Sequence, residues 1–69
     1  MMPEIETLLF HDVDSHQECC VIIRASNTAI GLCVSLEKDG DVQAFLTKKD
    51  GEKLLAALAK AVSFGGDKN

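Results

Sequence analysis

The sequence predicts an α+β fold, an antiparallel β-meander of three to four strands followed by one C-terminal α-helix packed on one sheet face. Three observations lead there. Residues 30–37 alternate strictly, with Ile30, Leu32, Val34 and Leu36 on one side and Gly31, Cys33, Ser35 and Glu37 on the other. Leu54, Leu55, Leu58, Ala61 and Val62 recur at helical spacing. The polar segments between the apolar stretches are too short for a parallel crossover, so chain neighbours pair antiparallel.

The first strand is expected over residues 4–10, after Pro3, whose missing N–H does least harm at a strand start. Residues 11–18 are polar and rich in turn formers, and read as a loop. Residues 19–25, Cys-Cys-Val-Ile-Ile-Arg-Ala, are apolar and β-branched and read as the second strand. Ser26, Asn27 and Thr28 supply a turn into the third strand at 30–37.

A hairpin through Lys38, Asp39 and Gly40 returns the chain over 41–46. With Gly40 left-handed at the end of a three-residue loop, Leu36 pairs with Val42. Val42, Ala44 and Leu46 then share the face of Leu32 and Val34. The helix is expected over 48–63. Thr47 is its N-cap, Asp50 suits the first turn, Lys60 suits the last, and Gly65-Gly66 ends it. The tail, 65–69, is expected to fray. In this reading Leu54, Leu58 and Val62 pack on the sheet, and Leu58→Ala unfolds or strongly destabilises a single small domain spanning 1–69.

The chain has 69 residues, of which 46% are hydrophobic, but its 32 apolar residues include seven Ala and only three aromatics (Phe10, Phe45 and Phe64). A core that small usually needs a metal, a disulfide or a second chain. Three cysteines, Cys19, Cys20 and Cys33, with no basic export segment at the start, point to reduced thiols in the cytoplasm. No apolar run exceeds six residues. A membrane span needs about 20.

The net charge of −4 resides in the first third. There, Glu4, Glu6, Asp12, Asp14 and Glu18 face Arg24 alone, whereas residues 25–69 balance. With no basic stripe and no aromatic cluster, direct nucleic-acid binding is disfavoured. The five carboxylates are either solvated surface or a surface for a basic partner.

Residues 11–20 hold two imidazoles, three carboxylates and two thiols, so His11, Asp14, His16 and Cys19 are the candidate metal ligands. Their spacing matches neither the usual zinc patterns nor a calcium loop, and the expectation is no metal and no cofactor. Cys19-Cys20 reads as two strand thiols rather than a redox pair, because adjacent thiols bridge only with strain. His16 is near them in sequence, yet no nucleophile–base signature surrounds it, so no catalytic residue is assigned and no enzyme expected. Lys48, Lys49 and Lys53 cluster at the helix start, which reads as a solvated terminus.

The expected function is therefore a small cytosolic protein-interaction module acting as a homodimer. Its interface is expected on the sheet face away from the helix, through Cys20, Ile22, Cys33 and Phe45. One alternative is an acidic inhibitor of the kind phages or mobile elements encode, set against the basic groove of a nucleic-acid-handling protein. Another is a metal-binding protein acting through residues 11–20.

Overall fold

The computed structural model describes residues 2–65. It shows four antiparallel strands, β1 (Glu4–His11), β2 (Glu18–Ala25), β3 (Ala29–Leu36) and β4 (Gly40–Thr47), then one helix, α1 (Lys48–Ser63), which contacts the sheet. The strands lie side by side in chain order, β1-β2-β3-β4, as a meander. Each expected strand is present and longer by one or two residues, or shifted by one. Of the expected tail, residues 66–69 lie outside the described residues, and Gly65 takes the left-handed φ of 62° that ends helices.

The register sorts the side chains. Val21 lies opposite Val34, Ile23 opposite Leu32 and Cys19 opposite Leu36. Ile30 faces Leu46, and Leu32 faces Ala44. On the outer side Leu8 pairs with Val21 and Phe10 with Cys19. Directly opposed residues share a face, so one side of the sheet is apolar along β2, β3 and β4 and at Leu8 and Phe10 of β1, with Glu6 opposite Ile23 at its margin. The other side is mixed, with Leu9, Cys20, Ile22, Arg24, Cys33, Ser35, Gln43 and Phe45. A bulge at Ile5, between Glu4 and Glu6, lets Thr7 donate its hydroxyl proton to Glu4 three residues back.

The β3–β4 hairpin corrects one expectation. Leu36 pairs with Gly40, not Val42, and Val42 lies opposite Val34. The turn is Glu37 to Asp39, and Gly40 stands at φ 89°. The cause is a capture from β2. The Glu37 N–H donates to the Glu18 carbonyl at 3.1 Å, and the Lys38 N–H donates to Gln17 Oε1 at 2.7 Å. These bonds draw the turn to β2 and slide the pairing by two residues. An even slide keeps every side chain on its expected face.

The helix begins as expected. The Asp50 N–H donates to Thr47 Oγ1 at 3.0 Å, Asp50 occupies the first turn and Lys60 the last. Its docking is where the structure departs from the sequence reading. The first turn meets the apolar face at Ile30, whose Cδ1 approaches Gly51. Beyond that point the stripe leaves the sheet: exposure rises from 37% at Leu54 to 57% at Leu58 and 82% at Val62. Leu54, Leu58 and Val62 thus do not pack on the centre of the sheet within one chain. With no residue between β4 and α1, the helix takes its direction from Thr47 and Gly51, and that direction carries it away from its own sheet. Val42 on the apolar face remains 72% exposed, and among the described residues the buried hydrophobic side chains are those of Cys19 and Cys33.

Candidate functional site

The loop between β1 and β2 is built from side chain to backbone. Asp12 Oδ2 accepts from the Ser15 N–H at 2.7 Å and from Ser15 Oγ at 2.8 Å. These two bonds stabilise the carboxylate and hold Asp12 below its ordinary pKa. The His16 N–H donates to the Asp12 carbonyl at 2.8 Å, closing a turn that leaves His16 at φ 65°. Gln17, 8% exposed, then ties the two hairpin ends together. Its Nε2 donates to Asp39 Oδ2 at 2.9 Å and to Ser15 Oγ at 2.8 Å, while Oε1 holds the Lys38 N–H. No sequence signal marked Gln17, because its partners in the second hairpin, Lys38 and Asp39, lie 21 and 22 residues along the chain.

The candidate metal ligands are not brought together. Cys19 is buried on the apolar face opposite Phe10 and Leu36. His11 pairs with Glu18, one residue away from Cys19, and so stands on the opposite side. His16 is set aside in its left-handed turn. Among the described residues no group of three or more His, Cys, Asp or Glu could hold a metal ion. The three thiols are free, and Cys19 and Cys20 point to opposite faces.

The five carboxylates of the first third are split. Glu4 and Glu6 lie at the start of β1, whereas Asp12, Asp14 and Glu18 lie at its far end, on the order of 20 Å away along the strand. The meander brings the β1–β2 and β3–β4 turns to that far end, so Glu37, Asp39 and Asp41 join Asp12, Asp14 and Glu18 there. Counting charge along the sequence missed these three, because residues 25–69 balance in number. Asp41 also accepts from Ser35 Oγ at 2.6 Å on the mixed face.

The register places Cys20, Ile22, Cys33 and Phe45 on one face, as the sequence implied. Ile22 lies opposite Cys33, and Phe45 opposite Gly31. The Phe45 ring lies over Gly31 closely enough that a Cβ there would stand 3.3 Å from Cε1. Phe45, Gly31 and Cys33, with Met2, Arg24 and Gln43, line a shallow hollow. Leu9, Cys20, Ser35 and Glu37 line a second one on the same face. Both are open depressions on a sheet surface, suited to a broad contact rather than to enclosing a small molecule.

The chain matches no family model, no curated protein and no solved structure. Its reading therefore rests on these surfaces. No helix among the described residues is long and apolar enough to cross a membrane.

Proposed function

We propose that this chain is a small cytoplasmic protein-interaction module that works as a homodimer, without catalysis and without a cofactor. One observation carries the reading: the chain exposes far more surface than a folded monomer of its mass. It exposes 5506 Å² at 7.4 kDa. A compact monomer of that mass exposes roughly 4,200 Å². The difference, on the order of 1,000 Å², goes with exposed large apolar side chains, among them Leu8, Phe10 and Val42 at the margins of the apolar face and Leu55, Leu58 and Val62 on the helix. Patches of that size on small proteins mark contact surfaces. Sedimentation equilibrium at micromolar concentration tests the proposal. A mass twice 7.4 kDa supports it, and a mass of 7.4 kDa sinks it.

A second reading, an acidic inhibitor that presents carboxylates to a basic groove, is supported by the gathering of Asp12, Asp14, Glu18, Glu37, Asp39 and Asp41 at one end of the sheet. Such a contact is electrostatic and weakens with salt. Capture of a nucleic-acid-handling protein from lysate at low salt, released at high salt and lost in Asp14→Asn, is the result expected for it. Capture that is indifferent to both counts against it.

A further inference from the structure

We infer that the two copies exchange helices: the α1 stripe of one chain lies on the apolar sheet face of the other, and reciprocally. The inference rests on the homodimer proposed above and names its surfaces. Each chain carries both halves of a helix-on-sheet layer, and neither half is satisfied within the chain. The stripe begins at Gly51, seated on Ile30, and is progressively bared along Leu54, Leu58 and Val62. The apolar face is open at Val42 and, on the far strand, at Leu8 and Phe10.

The occupant is a second copy because a two-fold axis satisfies both halves at once, with one surface serving both partners. The area agrees. An excess on the order of 1,000 Å² per chain, doubled, falls in the range of about 2,000 Å² and above that characterises obligate dimers. The helix cannot turn back to cover its own sheet without giving up the Thr47 cap or the Gly51–Ile30 seat, because α1 follows β4 directly. The exchange leaves the mixed face, with Phe45, on the outside of the dimer.

The test compares wild type, Leu58→Asp and Phe45→Asp by sedimentation equilibrium at micromolar concentration. The expected pattern is a dimer for wild type and Phe45→Asp, and at least a tenfold weaker association for Leu58→Asp. A dimer that dissociates in Phe45→Asp but survives Leu58→Asp overturns the exchange and leaves the homodimer standing, with Cys20, Ile22, Cys33 and Phe45 as its interface. A monomeric wild type overturns both.

Should Leu58→Asp fail to fold, wild-type protein mixed from isotopically labelled and unlabelled chains answers the same question. Isotope-filtered NMR should then show intermolecular contacts from the Leu58 and Val62 methyls to those of Val34 and Val42. Their absence from a wild-type dimer overturns the exchange.

Discussion

The Cδ1 methyl of Ile30 occupies the place where a side chain on Gly51 would begin. Glycine inside a helix costs about 1 kcal/mol relative to alanine, and here it lets α1 sit against β3. Gly51→Ala recovers that propensity but overpacks the contact, which costs about 1–3 kcal/mol. The expected net effect is a loss of about 1 kcal/mol in wild type. Ile30→Val removes the obstructing methyl, and in that background Gly51→Ala should stabilise by up to about 1 kcal/mol. Urea unfolding of the four proteins reads the sign. The same effect of Gly51→Ala in both backgrounds would show that the two residues do not meet.

Gln17 joins the hairpin ends, and its removal should be felt at both. Gln17→Leu leaves the Lys38 N–H without its acceptor and the Asp39 carboxylate without its donor, so a loss of about 2 kcal/mol is expected. Gln17→Glu keeps the acceptor for Lys38 but opposes a carboxylate to Asp39. It should be destabilised at pH 7 and recover toward pH 4, when a protonated glutamate donates again. A Gln17→Glu protein whose stability relative to wild type does not change with pH would contradict this pairing.

His16 is the one described non-glycine residue with positive φ, at 65°. A side chain in that region costs roughly 1 kcal/mol. His16→Gly is expected to hold or raise stability by up to about that amount, and His16→Val to lower it by more than 1 kcal/mol, as thermal melts would show. The same glycine variant and His11→Ala should bind no less zinc than wild type. Stoichiometric zinc in wild type, lost in either variant, would restore His11, Asp14, His16 and Cys19 as ligands.

Asp12 sets a pH dependence whose sign follows from its bonds to Ser15. Its carboxyl lies below the ordinary value of 3.8 in the folded chain, so the unfolded chain takes up the proton first. The contribution is complete above that ordinary value and disappears as the pH falls through the lowered one. Wild type should therefore lose stability relative to Asp12→Asn between about pH 5 and pH 2, measured by urea midpoints, and Ser15→Ala should shrink the difference. Parallel curves for wild type and Asp12→Asn would remove Asp12 from the account.

The strands and the helix start were legible because their signals are local. Alternation from Ile30 to Leu36 fixes a face, and Thr47 followed by Asp50 fixes a cap, whatever the rest of the chain does. The slide of the β3–β4 pairing was not legible, since it depends on Gln17 reaching Lys38 across 21 residues. The departure of α1 from the sheet was equally hidden. Spacing shows that Leu54, Leu58 and Val62 form a stripe, but the direction of the stripe is decided by the Gly51–Ile30 seat and the direct junction at Thr47. The acidic end was half legible: Asp12, Asp14 and Glu18 stood out as a run, while Glu37, Asp39 and Asp41 reach it only through the topology.

The chain-order meander also has a kinetic meaning. Each strand pairs with the one made just before it, across connections of six, three and three residues. Closing loops this short takes on the order of 10–100 ns and forming a hairpin about 1–10 μs, so no distant segment has to be searched for. On a ribosome the sheet could lengthen strand by strand at the pace of synthesis, with α1 emerging only after the surface beside it was complete. Refolding of the single chain should accordingly be a fast, concentration-independent phase, and any slower phase should scale with protein concentration.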